Sequence, residues 1–231
     1  MTKMLVSDFD DTIKTSSKYI TNLNVMSLKK FRENGNKLVI ASGRNFTSLE
    51  KELSNCNLEY DALICNDGAI SFNKDNQVIF GNYFNNVELE CLLHFLKIAG
   101  KKYINDISLY NEYECSCNND KIIELVVIAN IFKNIKPIME EMLKYFHDIQ
   151  ISKSGLIIRI KKITSKGDAI DKIYKYFDIK KEDIYTIGDW TNDYEMIRDY
   201  NGYNILFGHP SLRKVSKGNI TTVAQLVKKI N

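Results

Sequence analysis

The apolar run Met4-Leu5-Val6 passes through Ser7 directly into Asp8-Phe9-Asp10-Asp11-Thr12. A short apolar run bounded by polar residues reads as a buried strand. Carboxylates at the end of a buried strand are costly unless something compensates their charge. A divalent cation is the natural compensator, because hard cations prefer oxygen ligands. Open α/β sheets bind ligands at the carboxyl ends of their strands, so the placement suits a site. Taken alone, Asp-x-Asp-x-Thr fits an acidic capping loop equally well.

The rest of the chain repeats the strand-end pattern. Val25, Leu28 and Phe31 mark a helix face that stops at Asn34-Gly35. Lys37–Ala41 is a second buried-type strand ending in Ser42-Gly43-Arg44, and a helix over Phe46–Leu53 leads to a strand at Ala62–Cys65. Asn66-Asp67-Gly68 is a turn signal. This alternation predicts a parallel sheet with covering helices. Ile70–Phe72 and Val78–Phe80 then read as a hairpin, and from Val87 the order becomes helix, strand, strand, helix, strand, strand. Afterwards Lys166-Gly167-Asp168 opens a helix, Ile184–Ile187 forms a strand, and Gly188-Asp189-Trp190-Thr191-Asn192-Asp193 follows it. A strand at Tyr203–Leu206 and a helix carrying Val223, Leu226, Val227 and Ile230 close the chain. The expected fold is α/β: a Rossmann-like parallel-sheet core over 1–80 and 161–231, with an inserted α+β (αββαββ) domain over 81–160.

Composition narrows the function classes. Lys and Arg number 32 against 29 Asp and Glu, and they are dispersed, which argues against nucleic acid as the partner. No apolar stretch has the length of a membrane span, and the amino terminus lacks the order of a signal peptide. The expectation is a cytoplasmic protein with no membrane partner, monomeric or weakly homo-oligomeric. The five cysteines have no disulfide-framework spacing. Cys115-x-Cys117 lacks a second metal-binding pair, and Cys65 and Cys91 are expected as core thiols. His94, His147 and His209 have no evident partners and receive no role.

If the strand ends converge, the crevice holds several carboxylates, one ammonium, one hydroxyl and one amide, a set suited to a phosphate dianion and Mg²⁺. Asp8 is the candidate nucleophile, since a carboxylate can form an acyl phosphate. Asp8 and Asp189, with the carbonyl of Asp10, are the candidate metal ligands, and Asp193 would hold metal-bound water or Lys166. The Asp10 side chain would protonate the leaving oxygen and later deprotonate water. Ser42 and the amide of Gly43 would donate to the phosphate, Lys166 would supply positive charge, and Asn192 would orient either of them. Asp11 and Thr12 are assigned to the phosphate loop as well. Arg44 and Asn45 are candidate substrate contacts.

The four motifs, in this order, resemble those of the haloacid dehalogenase superfamily of phosphohydrolases. They are Asp8-Phe9-Asp10-Asp11-Thr12, Ser42, Lys166 and the Gly188–Asp193 loop. The αββαββ insertion between Ser42 and Lys166 resembles the C2B cap, and Asn66-Asp67-Gly68-Ala69 with Lys166-Gly167 points to the Cof-type branch. The resemblance covers nearly the whole chain. It implies Mg²⁺-dependent hydrolysis of small phosphorylated metabolites, often sugar phosphates. A phosphomutase or phosphotransferase with the same aspartyl chemistry, or a phosphometabolite-binding protein without turnover, are the alternatives. Two residues depart from the branch: Asp11 stands where Gly is common, and Trp190 where a small residue is usual; Trp190 serves packing or forms a wall of the site, packing being the favoured reading.

Overall fold

The computed structural model describes residues 2–113, 115–116 and 120–231. They divide into two compact units, one made of the chain up to Phe80 with Ser165–Asn231, the other Gly81–Thr164.

The first unit is built on an eight-stranded sheet. Its central strand β1 (Met4–Asp8) is buried along its whole length, as its apolar run requires. Helix α1 (Lys18–Glu33) starts at Ser17, whose hydroxyl accepts the Ile20 N–H, and buries Val25, Leu28 and Phe31. Then come β2 (Lys37–Ala41), α2 (Phe46–Asn55), β3 (Ala62–Cys65), β4 (Ile70–Asn73) and β5 (Val78–Gly81). The chain re-enters this unit at α5 (Lys166–Tyr176), followed by β11 (Ile184–Gly188), α6 (Tyr194–Asp199), β12 (Asn201–Ile205), α7 (Pro210–Arg213), β13 (Asn219–Ile220) and α8 (Val223–Ile230). The sheet order is β13-β12-β11-β1-β2-β3-β4-β5. Pairing is parallel from β13 through β3 and antiparallel between β3 and β4. Met4, Val6, Val39 and Ala41 face Ile170 and Ile173 of α5 and Met196 and Ile197 of α6. Each fully buried Val, Ile or Met among them contributes on the order of 1.5–3 kcal/mol.

One buried amide joins elements far apart in the chain. Nδ2 of Asn24, on α1, donates to the carbonyls of Thr12 and Ile13, and its Oδ1 accepts the Ala224 N–H at the start of α8. The acidic loop after β1 is therefore anchored from behind by α1.

In the second unit α3 (Asn86–Ile98), β6 (Ile104–Tyr110), β7 (Cys115–Ser116), β8 (Glu124–Ala129), α4 (Lys136–Tyr145), β9 (Ile149–Ser154) and β10 (Ile157–Lys162) form an antiparallel sheet of order β7-β6-β8-β10-β9 with two helices. Alternate residues Leu125, Val127 and Ala129 of β8 pack with Leu89, Leu92 and Leu96 of α3 and with Ile138 and Met142 of α4. Both helices thus cover one sheet face. The two-residue β7 adds a strand to the αββαββ pattern; it is too short to carry a period. Of the Cys115-x-Cys117 pair, Cys117 lies outside the described residues and Cys115 is described only as a backbone position of β7. Cys65 is buried, but Cys91 is exposed on α3, contrary to expectation, because its neighbour Leu92 takes the inward position.

Candidate active site

Parallel register sets the site. Asp8 is level with Ala41, and Ser7 with Ile187, so Asp8, Ser42 and Asp189 end three adjacent strands. Lys166 arrives from elsewhere, as the first residue of α5. That helix begins with a capping box in which Ser165 and Asp168 exchange side-chain and backbone hydrogen bonds. Its start is pressed against the turn after β3. Gly68 there has φ +100°, and a Cβ on it would lie 2.0 Å from the Ser165 carbonyl oxygen. Only glycine satisfies both demands. The result aims a fully buried ammonium at two carboxylates: Lys166 Nζ lies 2.6 Å from Asp8 Oδ1 and 2.6 Å from Asp193 Oδ1. A lysine is almost never so buried unless paired.

Asp193 uses its second oxygen to hold its own loop. Oδ2 accepts the N–H groups of Asp189 and Trp190 at 2.9 and 3.1 Å. That approach needs Gly188, where a Cβ would fall 2.3 Å from Asp193 Oδ2. Asp189 Oδ1 accepts the Thr12 hydroxyl at 2.8 Å. Carboxylate oxygens of Asp8, Asp189 and Asp193 all lie within 4.8 Å of one another. Burial, with repulsion from Asp193 and Asp189, pushes the Asp8 carboxyl well above its ordinary range despite the Lys166 amine. Burial also raises Asp189, with Asp193 and Asp11 adding to it against the Thr12 hydrogen bond. Burial works against the charged Lys166, yet Asp193, Asp8 and Asp67 outweigh it and hold the amine protonated. Three carboxylates share one ammonium. The surplus negative charge and the all-oxygen donor set suit a hard divalent cation.

Several assigned residues do something other than expected. Thr12 commits its hydroxyl proton to Asp189 rather than leaving it for a phosphate. Arg44, a candidate substrate contact, forks onto Asp10: Nε to Oδ2 at 2.7 Å and Nη2 to Oδ1 at 2.8 Å. Asn45 is the N-cap of α2, its side chain accepting the Ser48 N–H. Asn192 reaches neither Lys166 nor Asp8; its Nδ2 donates to Asp67 Oδ1 at 2.8 Å. Ser42 is buried with Oγ accepting the Arg44 N–H. Gly43 borders Asp67, whose Oδ1 would lie 3.1 Å from a Cβ there. Asp67 received no role from the sequence, yet it receives Asn192 and adds to the field on Lys166. Its signal was the Asn66-Asp67-Gly68 turn, three successive residues at positive φ.

The model of the haloacid dehalogenase-like hydrolase family matches residues 5–125 and 110–224. The chain belongs to the haloacid dehalogenase-like hydrolases. Its Cof-type branch is the one the motifs indicated. An uncharacterised protein of Mycoplasma capricolum is 26% identical over 85% of this chain and 87% of its own length. A haloacid dehalogenase-like hydrolase from Bacteroides thetaiotaomicron superposes with TM-score 0.82 at 17% identity, covering 100% of both chains. A sugar phosphatase of subclass IIB superposes with TM-score 0.73 at 20% identity, covering 99% of this chain and 98% of its own.

The two departures of this hydrolase from its branch have physical readings. Asp11 lies at φ +59°, in the left-handed region that favours glycine and that Asp tolerates better than most residues. Its exposed position keeps a further carboxylate out of the buried cluster. Trp190 is not a packing residue of the core. It is 59% exposed, and its ring meets His209 edge-on at 5.3 Å.

Proposed function

We propose that this hydrolase is a Mg²⁺-dependent phosphatase that releases phosphate from small phosphate esters, sugar phosphates among them, through a phosphoryl-aspartate on Asp8. The observation that carries the reading is the buried Lys166 amine, 2.6 Å from both Asp8 and Asp193, at the meeting point of three strand ends. Asp8 Oδ1 is engaged by Lys166, so Oδ2 is the attacking oxygen. It forms a bond to phosphorus as the ester P–O bond breaks, and the alcohol oxygen takes a proton from Asp10. Water then attacks phosphorus, gives its proton to Asp10, and the acyl-phosphate bond breaks to restore Asp8. Lys166 neutralises charge on the nucleophile and the phosphate throughout, and Ser42 with the Gly43 amide binds phosphate oxygens. Both oxygens of Asp10 accept from Arg44 in the fork, so Asp10 must release Arg44 and take up a proton before it acts as the acid, and Arg44 takes it back as a carboxylate when it has given the proton away. Asp8 and Asp189, with the Asp10 carbonyl, would hold Mg²⁺, which supplies the positive charge that lets a carboxylate approach a phosphate. The subclass IIB sugar phosphatase that shares the fold supports sugar phosphates as the first substrates to try.

The test is phosphate release from a broad ester panel with Mg²⁺, with Asp8→Asn as the blank. Release by the wild type alone, abolished by EDTA, is expected. In ¹⁸O-water the label enters free phosphate if water is the acceptor; its absence would indicate transfer to another hydroxyl. No release from any ester overturns the reading.

A further inference from the structure

Phosphoryl transfer leaves one conspicuous side chain without a role. Trp190 is the one tryptophan of the chain and follows Asp189 directly. Its backbone is held tightly, since its N–H donates to the Asp193 carboxylate that also binds Lys166. Its ring leans on His209, at an interplanar angle of 72°. His209 is fixed in turn: its N–H donates to the Asp189 carbonyl at 2.6 Å, and its Nδ1 accepts the Ser211 N–H at the start of α7. Two residues before His209, Phe207 is 91% exposed. Gly208 between them packs so closely that a Cβ there would lie 2.7 Å from the Asp189 carbonyl oxygen. The loops after β11 and β12 therefore meet at Asp189 through their backbones, and each carries an exposed aromatic residue close in sequence to that contact: Trp190 next to Asp189, and Phe207 two residues before His209.

Aromatic side chains usually supply buried area. Small-molecule sites pair a few convergent polar groups with apolar walls. Asp8, Asp189, Asp193, Lys166 and Ser42 supply the polar part only. We propose that Trp190 and Phe207 form an aromatic rim that binds the alcohol portion of the ester. The rim favours alcohols with a ring whose C–H face can lie on an indole, such as a sugar, over short hydrated alcohols. The proposal rests on the phosphatase reading and names the residues that hold the alcohol portion within it.

The test compares wild type, Trp190→Ala, Trp190→Phe and Phe207→Ala on two kinds of ester: hexose and pentose phosphates, and methyl phosphate. Trp190→Ala is expected to raise KM for the ring-bearing esters about tenfold and leave methyl phosphate within about twofold, with Trp190→Phe restoring most of the difference. Phe207→Ala moves in the same direction by a smaller factor. A second readout needs no turnover. In the Asp8→Asn protein, which keeps Trp190, saturating sugar phosphate should shield the indole from acrylamide quenching, and inorganic phosphate should not. Equal losses on ring-bearing and methyl esters, or no shielding by any sugar phosphate, overturn the rim. Phosphate release with an indifferent Trp190 sinks the rim alone; shielding without release sinks the phosphatase reading alone.

Discussion

Lys166 decides the electrostatics of the site. It is the sole ammonium shown touching Asp8 and Asp193 among the described residues, and both carboxylates are buried. Replacing it with methionine preserves volume but leaves the two acids without a counter-charge. Breaking a buried pair in this way destabilises by about 3–5 kcal/mol. Lys166→Met is therefore expected to lose stability on that scale in urea unfolding. It should also release phosphate at least about a thousandfold more slowly than wild type, on the scale of losing a main electrostatic stabiliser. If Asp193→Asn is added, the double variant should be less destabilised than the sum of the two, because one orphaned charge is gone. Asp10 and Arg44 show the limit of reading residues singly. Each looked like a group awaiting substrate, and the fold joins them in a forked ion pair across 34 positions.

At the scale of elements, two contacts set strand and helix ends. Asp61, just before β3, accepts the Leu38 N–H of β2 and is flanked by Arg32 and Lys37. Burial alone would raise its carboxyl; the Leu38 N–H and the two cations outweigh that and hold it below its ordinary value. A depressed folded-state value means its stabilisation is complete above the unfolded-state value, near pH 4, and fades as pH falls through the folded one. Asp61→Asn should cost about 2 kcal/mol at pH 7. The gap to wild type should narrow below about pH 4 in denaturant titrations. The start of α5 depends on Gly68 and Ser165. Ser165→Ala removes a cap and is expected to cost about 1 kcal/mol with activity largely kept. Gly68→Ala demands a φ strained for alanine and drives a methyl into the Ser165 carbonyl. It should cost about 1–3 kcal/mol and lower phosphate release more than Ser165→Ala does, because it displaces Lys166. Equal activities for the two variants would contradict that account.

For the whole molecule, a cation that binds the folded carboxylate cluster and not the unfolded chain must stabilise it. At about a hundred times its dissociation constant the gain is about 2.7 kcal/mol. Mg²⁺ is thus expected to raise Tm in calorimetry, EDTA to reverse it, and Asp189→Asn to blunt it. An unchanged Tm at millimolar Mg²⁺ would count against the cluster as a metal site. The division into two units was suggested by a change in pattern after the hairpin, from alternating strand and helix to paired strands. The short elements β7, β13 and α7 were not legible, because two to four residues are too few to show a period. Asp67 was legible only as part of a turn. Its bearing on Lys166 comes from the packing of that turn against α5.

Residue order alone determined the longer strands and helices and which strand ends carry acid. Apolar period, caps and turn residues are local properties, and each can be read within a window of a few residues. The tertiary structure decided partnership. Parallel register places Asp8 between Ser42 and Asp189, and the fold carries the Lys166 amine across 158 positions to meet Asp8. It also sends the guanidinium of Arg44 to Asp10 and leaves an indole in solvent beside Asp189. Such pairings follow from how burial and hydrogen-bond demands are met by the chain as a whole, which no single stretch encodes.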